Sequence, residues 1–209
     1  MKYIMSEYNL KTGDLLLFDY KAGGIFGIFT KLIKFFTNSN YSHCAMVLKD
    51  PTFIDPNLKG YYVWESSKET DADPQDGKHK LGVQITPFNE IYNEYKEKNS
   101  YIYVRRISNN SKDYLTEEKL KEIHKVVYDK PYDIVPLDWI EAAVGKDSSP
   151  QKTDRFWCAA LVGYIYTKCG ILDKQTDWSK LSPASFSSKH LDVQFDNYVS
   201  FTTKEEEIL

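Results

Sequence analysis

Cysteine and histidine are scarce, and their spacing excludes several common kinds of site. The 209 residues include three cysteines, an odd number with no CxxC motif, so a disulfide framework is not expected. The thiols are predicted to be free, in a reducing compartment. The four histidines are scattered without the short spacing that zinc sites use. We therefore expect neither a structural metal nor a cofactor.

Strong charge and long apolar runs are also absent. The 27 basic and 30 acidic residues give a formal net charge of -3, and no basic tract of five or more residues occurs. Nucleic acid is therefore not an expected partner. No stretch approaches the roughly 18 to 20 apolar residues of a membrane span, and residues 1–14 lack the apolar run of a signal peptide. These absences predict a soluble, cytoplasmic protein.

The sequence does contain enough apolar material for one buried domain, taken as residues 1–209, since 42% of the residues are hydrophobic. Short apolar or alternating segments bounded by turn residues predict β-strands. These segments are residues 12–18, 41–48, 60–67, 81–88 and 101–108. Because consecutive strands with short connections favour antiparallel pairing, we predict an α+β fold with a small antiparallel sheet or barrel packed against helices.

Two segments predict helices on either side of the strand region. Residues 23–36 carry apolar side chains at helical spacing, and Phe26 and Phe35 widen the apolar face to roughly half of the cylinder. Such a helix either faces the core or contacts lipid or an acyl chain. The second helix starts near Thr116, which is placed to cap it, with two glutamates in the first turn.

A third predicted helix carries a cysteine near each end. Thr153 or Asp154 is predicted to cap this helix, and Gly170 to end it. Cys158 then falls in or next to the first turn, where unpaired N–H groups and the helix dipole favour a thiolate over a thiol. Cys169, at the other end, receives no such help. The alternative interpretation is that Cys158 is an ordinary small core residue.

A histidine and a carboxylate are predicted on two neighbouring strands. In the strand at 41–48, His43 faces one side, whereas Cys44 faces the other and is predicted to belong to the core. Glu65 lies on the strand that follows. A cysteine at a helix N-terminus beside a histidine on a sheet is the arrangement of a thiol nucleophile and its base.

Six segments together carry a resemblance to a known family. They are TGDLLLF, TNSNYSHCAMVL, YYVWESS, GVQITPFNEI, KPYD and RFWCAALVGYIYTKCGI, within about residues 11–172. Their succession resembles the NlpC-type papain-like cysteine hydrolases of circularly permuted order, the YiiX-like group that also has poxvirus members. In that group the histidine strand precedes the cysteine helix, as it does here. The resemblance implies a permuted papain-like domain with a C-terminal extension at 173–209.

The resemblance also implies roles for individual residues. Cys158 would be the nucleophile, His43 the general base and then general acid, and Glu65 the group that orients the imidazole. Tyr132, in KPYD, matches a recurrent position of the family. The sequence has WCAAL where Cys-Ser-Glu-Leu is frequent, which leaves the triad intact but removes polar groups that bear on substrate preference. The candidates for contact with substrate or lipid are Tyr132, Tyr41, Phe26 and Phe35.

We therefore expect a cysteine hydrolase, an amidase or thiol peptidase, acting on a peptide or on the acyl or amide bond of a lipid-linked substrate through a Cys-His-Glu triad and a thioester acyl-enzyme. Peripheral membrane contact through the helix at 23–36 belongs to this expectation, and so does a location in a host cytoplasm or virion if the source is a virus. One alternative is a lipid acyltransferase of the same thiol architecture, although the Asn-Cys-Glu-His run of the lecithin:retinol acyltransferase relatives is absent. The other is a binding module whose thiol is inert.

Overall fold

Antiparallel strands form one sheet at the centre of the protein. The computed structural model describes residues 8–21, 34, 37–68, 71–108, 113–133, 152–190, 193–195 and 199–209. Within these ranges the strands are β1 (Leu15–Asp19), β2 (His43–Lys49), β3 (Tyr61–Lys68), β4 (Leu81–Pro87), β5 (Tyr101–Arg105) and β6 (Glu206–Glu207). They are hydrogen-bonded in the order β4-β3-β2-β1-β5-β6.

Strand pairing confirms the α+β class and the antiparallel sheet that the segment spacing predicted. β1 lies between β2 and β5, so that Leu17 is paired with Cys44 on one side and with Tyr103 on the other. β3 pairs with β2, and β4 with β3. The described strands do not close into a barrel, because β4 and β6 lie at opposite ends of the order.

Three α-helices lie within the described ranges. They are α1 (Phe88–Glu97), α2 (Glu117–Val127) and α3 (Cys158–Cys169). Thr116 caps α2 as predicted, with its Oγ1 accepting the backbone N–H of Lys119 at 3.4 Å. The sequence-based prediction lacks α1, although its signal is present. Phe88, Ile91 and Tyr95, at i, i+3 and i+7, are the buried residues of this helix.

Alternation along the strands divides the core into two clusters, one on each side of the sheet. The first includes Cys44 and Met46 of β2 together with residues of α3. The second includes Ala45 and Val47 together with residues of α1. This division is the one predicted for β2, because successive side chains of a strand point to opposite faces. We call the two faces the α3 side and the α1 side.

The helix that carries Cys158 is almost wholly buried. Every residue from Cys158 to Tyr166 is buried. Gly170 ends the helix in a left-handed conformation, with φ 83°, as the sequence predicts. The wide burial explains why the rest of the helix has the composition of ordinary core.

The predicted N-terminal cap of α3 is wrong. The N-cap is Trp157, in an extended conformation and without a side-chain hydrogen bond to the helix. Thr153 and Asp154 lie further back in the chain, outside the helix. The helix starts later than predicted because Phe156 forms a parallel bridge with Tyr132, which keeps the chain extended up to that point. Cys158 is therefore the first residue of the helix itself.

The predicted helix at 23–36 lies outside the described residues, except for Lys34. Phe26 and Phe35, the two candidates for lipid contact, are among the residues that the structure does not place. In the part of the chain that is described, no helix has both the length and the apolar character needed to cross a membrane.

Candidate active site

Glu65 and His43 form an ion pair at the start of β2. His43 Nε2 lies 2.7 Å from Glu65 Oε2, and the two side chains are 16% and 1% exposed. Thr86 of β4 donates its hydroxyl to the other carboxylate oxygen, Oε1, at 2.7 Å. Because Nε2 is engaged by the carboxylate, Nδ1 is the ring nitrogen left to face another group. The buried carboxylate thus fixes the orientation of the imidazole.

Hydrogen-bond donors from two parts of the chain converge on the Cys158 sulfur. They are the side chains of His43, Cys44 and Tyr132 and the backbone N–H of Cys44. Cys158 is only 3% exposed, so these groups, and not water, determine which protonation state of the sulfur is stable. A site rich in donors favours the thiolate, since the thiolate is the better acceptor.

Hydrogen bonds fix the chain immediately before Cys158 to the sheet. Ser66 Oγ of β3 donates to the Phe156 carbonyl at 2.7 Å. The Asp133 N–H donates to the same carbonyl at 3.2 Å, and the Phe156 N–H donates to the Pro131 carbonyl at 3.1 Å. The KPYD segment and the start of α3 are therefore held together, which places the KPYD tyrosine beside the cysteine sulfur.

The KPYD segment is in turn attached to the edge of the sheet at β4. The Val83 N–H donates to the Lys130 carbonyl at 2.8 Å, and the Tyr132 N–H donates to the Leu81 carbonyl at 3.0 Å. Gly82, between these two contacts, has φ +153°, and a Cβ there would lie 2.2 Å from the Lys130 carbonyl oxygen. Glycine permits this close approach because it has no Cβ.

The imidazole and the thiol shift each other's pKa in opposite directions. Burial alone would lower the pKa of His43, but its hydrogen bonds with Cys158 and Glu65 outweigh burial and raise the pKa to about 10. The pKa of Cys158 lies well below the ordinary thiol value, chiefly because Cys44 donates a hydrogen bond to the sulfur. Burial opposes that shift, and the imidazolium reinforces it. These opposed shifts favour an imidazolium and a thiolate at this pair.

The groups around this pair keep their protons. All three cysteines are free and buried. Burial, and then the hydrogen bond to the neighbouring sulfur, raise the pKa of Cys44 well above its ordinary value. Burial and the negative sulfur do the same to the pKa of Tyr132. Burial raises the pKa of Cys169 to about 12, with partial compensation by Lys119. Cys158 is thus the one of the three cysteines whose pKa is lowered.

The first turn of α3 supplies N–H groups beside the sulfur. The first four N–H groups of a helix have no partner within the helix, and Trp157 gives this helix no side-chain cap. Cys158 and Ala159 are buried, so these N–H groups face little water. Buried N–H groups in this position can stabilise negative charge on the oxygen of a bound carbonyl.

Four of the residues selected from the sequence thus meet at one place: Cys158, His43, Glu65 and Tyr132. Tyr41 lies two residues before His43, and its ring packs edge-on against Tyr103 of β5, with the ring centroids 5.6 Å apart. It lines a polar cavity that is described below.

Sequence reasoning missed two contributors to this site. Cys44 was expected to be core, and it is fully buried, but it also donates to the catalytic candidate's sulfur. Its position next to His43 was the available signal. The Thr86 contact with Glu65 has no local signal, because it depends on the register between β3 and β4, in which Thr86 lies opposite Val63.

Comparison of the chain with protein-family models gives no match, and comparison with curated protein sequences gives none either. Within the described ranges, no group of three or more His, Cys, Asp or Glu side chains is arranged to hold a metal ion. A function for this site therefore has to be inferred from the contacts around Cys158.

Proposed function

We propose that the protein is a cysteine hydrolase that cleaves an acyl or amide bond, with Cys158 as the nucleophile. One observation carries the proposal: the imidazole of His43 is held by Glu65 at 2.7 Å on one side and contacts the Cys158 sulfur on the other. A nucleophile, a base and a group that orients the base are the three parts that covalent catalysis by a thiol requires.

The first step is attack on the substrate carbonyl. Because its surroundings lower the pKa of Cys158, the sulfur attacks as the thiolate and forms a bond to the carbonyl carbon. The carbonyl oxygen becomes negative, and the N–H groups of the first turn of α3 stabilise it. The imidazolium of His43 then donates its proton to the departing amine or alcohol, which leaves a thioester on Cys158.

The second step is hydrolysis of that thioester. His43, now neutral, accepts a proton from a water molecule as the water oxygen attacks the thioester carbonyl. Collapse of the intermediate breaks the carbon–sulfur bond, releases the carboxylic acid and restores the thiolate and imidazolium. Glu65 keeps its hydrogen bond to Nε2 throughout, which holds the imidazole in place. The Tyr132 hydroxyl contributes a further donor to the thiolate when it leaves.

The proposal includes a permuted papain-like arrangement of the site. A helix that begins at the cysteine packs on one side of an antiparallel sheet, and the histidine and the carboxylate come from strands that precede this helix in the chain. The amidase or peptidase class follows from the chemistry of the triad and not from a substrate seen in the site.

The proposal is tested with p-nitrophenyl esters of acetate and butyrate, incubated with the full chain and analysed by intact-protein and peptide mass spectrometry. We expect an acyl adduct on the peptide that contains Cys158, sensitive to hydroxylamine as thioesters are. Cys158→Ala should abolish the adduct and p-nitrophenol turnover. Cys169→Ala removes a buried cysteine from the same helix and is the matched control, with adduct and turnover retained.

An adduct that persists in Cys158→Ala, or the absence of any adduct in the wild type, would overturn the proposal. Adding a primary amine separates hydrolysis from acyl transfer. A hydrolase releases the free acid as the main product, whereas a transferase forms mostly the new amide.

A further inference from the structure

A polar cavity lies beside the start of β2, outside the contacts of the triad. Its volume is about 350 Å³. Residues 38–41, which lead into β2, line it together with Lys34, and Ser187, Lys189 and His190 line it from a later part of the chain. Of the described residues that line it, none has a carboxylate, whereas two are lysines and one is His190.

Two lysines line this cavity, although the whole chain carries a net charge of -3. The Lys34 ammonium is hydrogen-bonded to Asp19, and Asp19 also pairs with Lys21 at 2.7 Å. Two lysines therefore share one carboxylate. Lys189 is exposed and forms no ion pair within the described part of the chain.

One further carboxylate, that of Glu205, lies near the cavity and already has hydrogen-bond partners. Glu205 accepts hydrogen bonds from the backbone N–H and the hydroxyl of Ser188, at 2.6 and 2.7 Å. Arg105 lies close enough to lower the pKa of Glu205. The cationic side chains that line the cavity are those of Lys34 and Lys189, and the nearby carboxylates of Asp19 and Glu205 already have hydrogen-bond partners.

The donors in the cavity suit a phosphate group better than a carboxylate. Lys34 Nζ uses two of its three N–H bonds for Asp19 and the Tyr20 carbonyl, the latter at 2.8 Å, which leaves one for a ligand. Lys189 and Asn38, which also line the cavity, provide further N–H donors. Such point donors match the several oxygens of a phosphate.

Bidentate binding of a carboxylate would need a guanidinium. The guanidinium of Arg105 is already committed to the carbonyls of Phe186 and Thr202, at 2.7 and 3.0 Å. Since a liquid water molecule occupies about 30 Å³, the cavity has room for roughly ten, which is more than a phosphate alone fills.

We propose that this cavity binds a phosphate-bearing group of the substrate and holds it next to His43. Tyr41 lines the cavity and precedes His43 by two residues. Two residues of extended chain span about 7 Å, so a phosphate in the cavity and an acyl bond at Cys158 can belong to one small molecule. The substrate part of this inference rests on the proposed hydrolase function, whereas phosphate binding itself does not.

Binding is tested first, by calorimetric titration of inorganic phosphate into full-length Cys158→Ala, which has no nucleophile. We expect saturable binding that weakens at least tenfold in Lys34→Gln/Lys189→Gln. Lys189→Gln alone, which removes an exposed side chain, should weaken binding about threefold without loss of fold. Lys59→Gln removes another exposed lysine, in the loop that follows β2 at the opposite end of that strand from residues 38–41, and should leave the affinity unchanged. Equal affinities in all these variants, or no binding at millimolar phosphate, would overturn the proposal.

Two further ligands distinguish the source of the phosphate and the role of the site. Glycerol 3-phosphate that binds more tightly than phosphate indicates a soluble phosphoester, whereas co-sedimentation with phosphatidic acid vesicles, lost in the double lysine variant, indicates a lipid headgroup. In the wild type, an acylated glycerol 3-phosphate should be hydrolysed at least tenfold faster than the acylglycerol without phosphate. Phosphate binding without that preference would overturn the substrate role, and phosphate binding by a protein with an inert Cys158 would refute the hydrolase while leaving the phosphate site in place.

Discussion

The two ends of α3 carry the same side chain, with its pKa shifted in opposite directions. Cys158 and Cys169 are 3% and 2% exposed, so burial does not distinguish them. The pKa of Cys158 lies well below its ordinary value, because Cys44 and His43 bond to its sulfur. Burial raises the pKa of Cys169 to about 12. The difference therefore comes from the partners at each end.

The position of Cys158 at the N-terminus of α3 does not by itself explain its lowered pKa. The dipole and unpaired N–H groups at a helix start typically contribute about 0.3–1 kcal/mol. Burial of a charge without partners costs far more. The donors from β2 and from the KPYD segment are what make a buried thiolate possible, and Cys169 has no equivalent of them among its described contacts.

Gly82→Ala tests how the N-terminal end of α3 is held in place. Of the substitutions compared here, it should have the largest effect. The new Cβ would collide with the Lys130 carbonyl, 2.2 Å away, in a backbone conformation that L residues rarely adopt. We expect a loss of about 3 kcal/mol or more in the free energy of unfolding, measured by urea denaturation. Cys158 should also lose its rapid alkylation, since the start of α3 is hydrogen-bonded to the KPYD segment and would be displaced with it.

Gly77→Ala is the matched control for that change. Gly77 has φ +71°, and its Cβ would meet nothing within 4 Å. Strain without collision should cost only about 1 kcal/mol and leave Cys158 alkylation unchanged. If Gly82→Ala is no more destabilising than Gly77→Ala, the KPYD segment is not held as described.

His43→Ala removes the imidazolium and should make the two ends of α3 more alike. At pH 6.5 we expect the rate of iodoacetamide alkylation at Cys158 to fall about 100-fold, as a thiolate becomes a thiol of ordinary or higher pKa. The rate of alkylation is measured by peptide mass spectrometry. His79→Ala, which changes an exposed histidine, should leave it unchanged. If the alkylation rate of Cys158 does not fall in His43→Ala, the contacts with Cys44 are sufficient to lower the pKa of Cys158.

Tyr132→Phe should have the smallest effect of the three. It removes one of several donors to the sulfur while keeping the ring, so the free energy of unfolding should change by less than about 1 kcal/mol. Turnover of a p-nitrophenyl ester should fall about tenfold, equivalent to about 1.4 kcal/mol of barrier. A drop in stability as large as that of Gly82→Ala would show that the hydroxyl is structural.

Local sequence patterns located β1 to β5 but not β6, and Tyr132 was selected only through the family resemblance. The alternation in β2 separated Cys44 from His43, and Gly170 marked the end of α3. The start of α3 was misplaced because a long-range bridge between Phe156 and Tyr132 overrides the capping preference of Thr153 and Asp154. Contacts that depend on strand register, such as Thr86 with Glu65, could not be predicted from local patterns at all.

The most direct test of the central claim is the rate of iodoacetamide alkylation at Cys158 and Cys169 of the wild-type protein, measured against pH by peptide mass spectrometry. For Cys158 we predict fast alkylation at neutral pH that declines only on the acid side, as the thiolate gains a proton. As pH rises through about 10, His43 loses its proton and its support of the thiolate. Cys169 should react only as pH approaches about 12. If both thiols titrate together, near the ordinary value of about 8.5, the activated thiolate and the hydrolase built on it are contradicted.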